Sequence, residues 1–116
     1  MKAIILGVQN TVDYQTVRNA INTFRHSNKL VIDEIVVGGG RTVDPIGAQY
    51  AREYNLPCSR FPANRRQYGR NAGMQRNKQM AQYGDILIAF PNGGPGTMDM
   101  IRRMYQAGKP VFVINL

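Results

Sequence analysis

The sequence predicts an α/β protein built on a parallel sheet. Short apolar runs rich in β-branched residues alternate along the chain with segments of helical periodicity. Several of these runs end in glycine, which is typical of strands that turn directly into helices. The length of 116 residues, 43% of them hydrophobic, fits one domain with one core. We therefore expect residues 1–116 to form a single Rossmann-like three-layer domain, with a five-stranded parallel sheet and helices on both faces.

The first part of the chain has the pattern of a β-α-β unit. Lys2 to Val8 and Leu30 to Val37 are short apolar runs, and both are predicted to be strands. A helix is predicted between them, behind the capping residue Asp13, because apolar residues recur there at helical spacing: Val17, Ala20, Ile21 and Phe24.

A second helix and a third strand are predicted next. Asp44 followed by Pro45 is a strong helix start, since the carboxylate can cap and proline needs no hydrogen bond in the first turn. One face of this helix is expected to carry Gly47, Tyr50, Ala51 and Tyr54. Pro57 to Phe61 then has the composition of a short strand.

The last part of the chain repeats this alternation. A helix is predicted from Gly69 to Tyr83, closed by Gly84, with an inner side formed by Gly73, Asn77, Met80 and Ala81. Asp85 to Pro91 is the most apolar predicted strand, and Val111 to Asn115 supplies the fifth. The helix between these two strands is expected to carry Thr97, Ile101, Met104 and Tyr105 on one face. Apolar strands that alternate with helices imply a parallel sheet covered on both faces.

Composition indicates the cellular environment in which the protein is expected. No apolar run approaches the roughly 20 residues that span a bilayer, so no membrane segment is predicted. Cys58 is the only cysteine, which allows no internal disulfide and no cysteine-based metal cluster within one chain. We expect a cytoplasmic protein without a metal or a cofactor. Four helices leave a five-stranded sheet sparsely covered, so a homodimer or homotetramer is also expected.

The charge is strongly positive and unevenly distributed. Fifteen Lys and Arg against seven Asp and Glu give a formal charge of +8, which attracts anionic partners. No carboxylate occurs between Tyr54 and Gly84, a segment that holds six cationic residues: Arg60, Arg65, Arg66, Arg70, Arg76 and Lys78. This segment is predicted to face an anion, the alternative being a solvated basic surface that keeps the protein soluble.

Ligands of open parallel sheets bind beyond the carboxyl ends of the strands, and three loops of this chain are expected there. The first contains Gly7 and Gln9. In the second, Gly38-Gly39-Gly40 lets backbone N–H groups approach an anion, Arg41 can bind phosphate with two hydrogen bonds, and Asp44 is either a ligand contact or only a helix cap.

The third loop gives the strongest signal. Asn92, Gly93, Gly94, Gly96 and Thr97 lie where a glycine-rich loop runs into a helix, and such a junction directs unpaired N–H groups and the helix dipole at one point. The sequence has neither Walker spacing nor a full Gly-x-Gly-x-x-Gly pattern, which argues against a P-loop nucleotidase and an ordinary dinucleotide dehydrogenase.

Side chains of the basic segment are expected to complete the site. Arg70 and Arg76 can reach a phosphate or a ribose, Asn77 can bind a hydroxyl or a base edge, and Tyr68 can stack on a base. A phosphate-bearing nucleotide or nucleotide-derived molecule is therefore the predicted ligand.

Four motifs occur here in a characteristic order: Gly39 to Asp44, Tyr68-Gly69 with Ala72-Gly73, Arg76-Asn77 with Met80, and Gly93 to Thr97. In this the chain resembles the SLOG superfamily, the group of the DprA and Lonely Guy proteins, and within it the YspA or YpsA-like branch. The resemblance implies a Rossmann-like sheet, nucleotide-related ligands and dimers or tetramers. It also implies one of two activities: Lonely Guy enzymes cleave the base from nucleoside monophosphates, whereas other members bind ADP-ribose-type signals in bacterial defence.

One departure from the family pattern bears on activity. The enzymatic relatives carry a glutamate where this sequence has Met100, which cannot polarise water or stabilise a cationic sugar centre. Asp99 is adjacent, but one helical step turns a side chain about 100° away.

We therefore expect no catalytic residue and a protein that senses or sequesters its ligand, for example a signal of phage or bacterial defence. The alternatives are a phosphoribohydrolase and, less favoured, nucleic-acid binding, because the basic residues cluster near small-ligand loops without interleaved aromatics.

Overall fold

A computed structural model describes residues 1–7, 12–39, 45–91 and 95–116, and it confirms the α/β fold class. These residues form one five-stranded parallel sheet, with β1 at Lys2–Leu6, β2 at Glu34–Gly39, β3 at Cys58–Pro62, β4 at Ile86–Ala89 and β5 at Val111–Val113. The order across the sheet is β3-β2-β1-β4-β5. The chain thus builds outward from β1 in one direction and then in the other, which is the Rossmann-like arrangement.

Helices cover both faces of this sheet. They are α1 at Tyr14–Asn28, α2 at Ile46–Glu53, the short α3 at Arg65–Tyr68, α4 at Ala72–Tyr83 and α5 at Pro95–Gln106, with a 3-10 turn at Gly69–Asn71 between α3 and α4. Within the described ranges, none of them combines the length and the apolar composition that crossing a membrane requires.

The strands bury alternate side chains on opposite faces, as the pleat of a sheet requires. On β1, Ala3 and Ile5 pack with Val17 and Ile21 of α1 and with buried residues of α2. Ile4 points the other way, into a second cluster with residues of α4 and α5. The layers are therefore α1 and α2, then the sheet, then α4 and α5.

The start of β2 differs from the sequence prediction. Leu30 was expected in the strand, but its N–H donates to Arg25 O at 3.0 Å, and Lys29 adopts φ 52° with its N–H on His26 O. This pair of hydrogen bonds is a Schellman motif that closes α1, so the strand begins only at Glu34. Asp13 caps the other end of α1 as predicted, accepting from Thr16 N at 2.9 Å.

The helix predicted from Gly69 is divided. Helical structure already starts at Arg65, because the Asn64 side chain accepts a hydrogen bond from Gln67 N at 3.1 Å. Gly69 then has φ 56°, which interrupts the helix before α4 begins at Ala72. Gly84 ends α4 in an extended conformation, and it is required by packing, since a Cβ there would lie 2.5 Å from Ile4 Cγ1.

Two predicted helix faces are only partly buried. Tyr54 and Tyr105 were each placed on one face with residues that the structure buries, yet both are exposed, Tyr105 at 67%. Tyr54 follows the last turn of α2, and its hydroxyl accepts from Asn22 Nδ2. On α5 the buried positions include Met100 and Met104, so the inward face is shifted relative to the predicted one.

Candidate functional site

Described residues that flank the first and third glycine loops lie together at the carboxyl edge of the sheet. β1 pairs directly with β4, with Leu6 opposite Ala89, and Gly7 follows β1. Gly7 has φ 97°, and a Cβ at this position would lie 2.3 Å from Phe90 O and 3.1 Å from Thr97 Oγ1. Only glycine fits there, and the close approach brings the end of β1 against the start of α5.

Arg76 extends from α4 to Gly38, at the start of the second glycine loop. A Cβ on Gly38, near the end of β2, would lie 2.6 Å from Arg76 Nη1, so the guanidinium rests directly on the backbone of this glycine. Arg76 is half-buried, and burial lowers the pKa of its guanidinium below the ordinary value. None of the ion pairs between described residues includes Arg76. Since arginine stays protonated at neutral pH, the site holds a partly desolvated positive charge.

The first turn of α5 faces the same region. Pro95 is the first helical residue, a position where its missing N–H has no cost, and Gly96 and Thr97 follow. The first N–H groups of a helix have no partner within the helix, and the dipole places partial positive charge there. Thr97 is buried beside Gly7. This turn is thus suited to an anion.

A cavity of about 660 Å³ opens between the 3-10 turn, α4 and the first half of α5. Three arginines line it: Arg70, Arg76 and Arg102. Two exposed methionines, Met74 and Met98, give it an apolar part. The remaining described lining is Gly73, Asn77, Gly96 and Asp99. A cavity of this size, with cationic and apolar walls, matches the dimensions of small-molecule sites.

Asn77 joins the two helices that form the cavity. Its side chain is only 2% exposed, and Nδ2 donates to Gly96 O at 3.1 Å and to Asp99 Oδ2 at 3.0 Å. Its Oδ1 accepts from Arg76 Nε at 3.2 Å. Both amide hydrogens are therefore used inside the protein, and the geometry gives Asn77 a positioning task between α4 and the first turn of α5.

Asp99 accepts the other hydrogen bonds of this network. Its carboxylate accepts from Arg102 Nη2 and from Arg103 Nε, each at 2.8 Å, in addition to Asn77. Burial by itself raises the pKa of Asp99, but the hydrogen bonds from Arg103 and Asn77 and the charge of Arg103 outweigh it and hold the pKa below the usual value. Asp99 is therefore ionised near neutral pH and has little capacity to deliver a proton.

Eight of the residues predicted from the sequence as ligand contacts lie in the described ranges: Gly7, Gly39, Tyr68, Arg70, Arg76, Asn77, Gly96 and Thr97. Four of these line the cavity: Arg70, Arg76, Asn77 and Gly96. Gly39 ends β2 next to Pro62 of β3, and the half-buried Tyr68 ends α3. Contact of these residues with a ligand stays a prediction.

The other predicted contacts lie outside the described residues: Gln9, Gly40, Arg41, Asp44, Asn92, Gly93 and Gly94.

Several residues around the cavity were not predicted as part of a site. They are Met74, Met98, Arg102 and Arg103. One signal was present in the sequence, because Asp99 precedes Arg102 and Arg103 by three and four positions, the spacing at which helical ion pairs form. The methionines carried no signal, since exposed and buried methionines look alike in a sequence.

Met100, the position of the glutamate in the enzymatic relatives, points away from the cavity. Its side chain is fully buried in the apolar cluster with Ile4, Val36 and Met80. Among the described residues, no group of three or more His, Cys, Asp or Glu side chains gathers to hold a metal ion.

The strand order and the glycine-lined carboxyl edge define a Rossmann-like α/β protein. Residues 1–68 match the model of the family YAcAr: YspA, cpYpsA-related SLOG family. This is more than half of the chain, so the chain belongs to this SLOG family, as its motifs predicted. The match ends at α3, whereas the described lining of the cavity starts at Arg70. Comparison with curated proteins and with solved structures gives no significant match.

Proposed function

We propose that the protein binds a nucleotide or nucleotide-derived small molecule of the ADP-ribose type at the carboxyl edge of its sheet, and that it senses or sequesters this molecule without converting it. The observation that carries the proposal is the position of Arg76. Its half-buried guanidinium contacts the backbone of Gly38 and lines the cavity, near the first turn of α5. A phosphate placed there would meet a desolvated cation and unpaired helix N–H groups together.

The chemistry of the cavity walls supports a ligand with both phosphate and base. Arg70 and Arg102 line the same cavity as Arg76 and add two positive charges. Three guanidinium groups can bind more than one phosphate oxygen. Met74 and Met98 provide adaptable apolar surface, and thioether sulfur packs well against an aromatic ring such as a nucleobase. A purely inorganic anion would leave this apolar part without a partner.

Two features favour binding over hydrolysis. A glutamate at position 100 would have to serve from the buried side of α5, where the chain carries Met100. The carboxylate that does line the cavity, Asp99, is held ionised by Arg103 and Asn77. A general acid needs a pKa near the working pH, and that of Asp99 is shifted away from it.

Calorimetric titration with AMP, ADP, ADP-ribose, NAD and the cyclic ADP-ribose isomers tests the proposal. We expect at least one of them to bind, and Arg76→Gln to weaken that binding by about tenfold or more, the effect of losing a hydrogen bond to a charged group. The matched control is Lys78→Gln, which removes one positive charge from the same helix at an exposed position that does not line the cavity. Absence of binding across the panel, or equal losses in both variants, would refute the proposal.

The same mixtures separate binding from catalysis. Mass spectrometry is expected to recover the nucleotide unchanged after long incubation. Release of free base from a nucleoside monophosphate, lost in Arg76→Gln, would instead establish the phosphoribohydrolase alternative.

We also propose that the protein is a homodimer or homotetramer. Support comes from an exposed aromatic side chain on the outer surface of α5, Tyr105 at 67%. Light scattering on the eluting peak of a sizing column measures the mass directly, and a monomer of 13.0 kDa would refute it.

A further inference from the structure

A carboxylate lies in the wall of a cavity that otherwise carries cations. Asp99 lines the cavity together with three arginines, and its side chain is 11% exposed. Simple electrostatics makes this residue unfavourable at an anion site, because a negative charge repels a phosphate. Its hydrogen bonds indicate a different role.

Resting on the proposed function, we propose that Asp99 is a positioning residue that sets the cationic groups for the ligand, so that removing its negative charge weakens the binding of a phosphate. Three connections carry this inference. Asp99 Oδ1 accepts from Arg102, an otherwise solvent-exposed side chain at 64%, and so holds that guanidinium at the cavity. A long exposed side chain loses rotamer freedom when a ligand fixes it, and the hydrogen bond to Asp99 restricts Arg102 before the ligand arrives.

The second connection runs through Asn77 to Arg76. Asp99 Oδ2 accepts one hydrogen of the Asn77 amide, Gly96 O accepts the other, and the amide oxygen then faces Arg76 Nε. The carboxylate thereby fixes the orientation of the amide, since a flipped amide would place its oxygen against Asp99. Arg76 is held in turn at the position where it contacts Gly38.

The third connection is the half-buried Arg103. Arg103 Nε donates to the same Oδ2 that accepts from Asn77, and its side chain is 22% exposed. The positive charges of Arg103 and Arg102 lie next to the carboxylate and offset its repulsion of a phosphate. The carboxylate thus organises two cavity arginines at little electrostatic cost.

The experiment measures the affinity of Asp99→Asn for whichever of AMP, ADP, ADP-ribose, NAD and the cyclic ADP-ribose isomers binds the wild-type protein most tightly. Positioning predicts a dissociation constant at least fivefold higher than that of the wild type, whereas electrostatics alone predicts a lower one. Asp99→Glu is the second variant, because it keeps the charge but moves the carboxylate by one methylene. Positioning predicts weaker binding here too, and electrostatics predicts no change.

A double-mutant cycle with Arg102→Gln distinguishes positioning from a general structural effect. If Asp99 acts through Arg102, the effect of Asp99→Asn is smaller in the Arg102→Gln background than in the wild type. A general loosening of the fold would weaken binding equally in both backgrounds, and that result would overturn the inference.

The outcomes separate this inference from the proposed function. Wild-type binding that Arg76→Gln removes but Asp99→Asn leaves equal or strengthens overturns only the inference. Absence of wild-type binding to the whole panel overturns both. If Asp99→Asn does not fold, as judged by circular dichroism, Asp99→Glu decides: weaker binding supports positioning and unchanged or tighter binding overturns it.

Discussion

The guanidinium of Arg76 and the backbone of Gly38 are in direct contact across two layers of the fold. A side chain on Gly38 would bring its Cβ within 2.6 Å of Nη1 and 3.1 Å of Cζ of this arginine. Glycine at position 38 is therefore a requirement of the arginine on α4, and not of the strand itself, because Gly38 pairs regularly with Phe61 in the sheet.

Gly38→Ala tests this contact. The added methyl displaces the end of a flexible side chain, so we expect the free energy of unfolding to change by less than about 1 kcal/mol while nucleotide affinity falls about tenfold. Titration and urea unfolding measure the two quantities. In the Arg76→Gln background the same substitution is expected to have no further effect on affinity. A large loss of stability with unchanged affinity would contradict the role given to this contact.

Gly7→Ala is expected to destabilise the protein by more than about 3 kcal/mol. Alanine at a positive φ costs about 1 to 2 kcal/mol, and its Cβ would also meet the carbonyl oxygen of Phe90 at 2.3 Å, so the strands must shift. Gly108→Ala is the matched control, because Gly108 also has a positive φ, 71°, but a Cβ there has no neighbour within 4 Å. Thermal unfolding should therefore show a much smaller loss for Gly108→Ala, and equal losses would refute the packing argument.

Met100→Glu restores the residue type of the enzymatic relatives and is expected to destabilise the fold without creating a hydrolase. The carboxylate would enter an apolar cluster that contains Ile4 and Met80, at a cost of more than about 3 kcal/mol. Met100→Leu preserves the volume and should cost less than about 1.5 kcal/mol. Chemical unfolding and an assay for released base check both claims. A stable Met100→Glu protein that cleaves a nucleoside monophosphate would contradict them.

The stability contributed by Asp99 should depend on pH in a defined direction. The folded protein holds its pKa below the ordinary 3.8, so the unfolded chain takes up the proton first as the pH falls. The contribution is complete above about pH 5 and is lost as the pH falls through the folded-state pKa.

Asp99→Asn lacks this dependence. We expect it to be less stable than the wild type by about 1 to 3 kcal/mol at neutral pH, with the difference shrinking below about pH 4. Urea unfolding from pH 7 down to about pH 2.5 measures it, and a difference that is constant or grows towards acid would contradict the assignment.

The sequence was sufficient for the architecture but not for the details of the site. Strands and helices were predicted because each buried strand is a continuous apolar run, as in Ile86–Ala89, and because glycines mark the ends of β1 and β2. The predicted start of β2 at Leu30 was wrong because a Schellman motif closes α1 there. Lys29 adopts the positive φ of this motif, a conformation that glycine usually takes, so the sequence did not mark the end of the helix.

Side-chain roles were harder to predict because they depend on which face of a helix is turned inward. Asn77 is buried, as predicted for the inner side of its helix, but the sequence did not indicate that its amide hydrogens bind Gly96 and Asp99. Tyr105 was placed on one face with Met104; the structure buries Met104 together with Met100 and leaves Tyr105 exposed. Neighbouring residues of a helix point about 100° apart, so the choice between position 100 and position 105 as the inward residue depends on a small rotation of α5. Methionine and tyrosine are both amphipathic or adaptable enough that the sequence does not define this rotation.

The pairing of β1 with β4 has a consequence for how the molecule assembles. Ala3 lies opposite Ile86, so the centre of the sheet joins residues 83 positions apart, and such distant pairings form late because a long loop must close first. On a ribosome, the contact between Gly7 and Thr97 can form only after Thr97 has emerged. A molecule that bridges these positions would therefore recognise only the finished protein, and its binding would raise the melting temperature by mass action on that state alone.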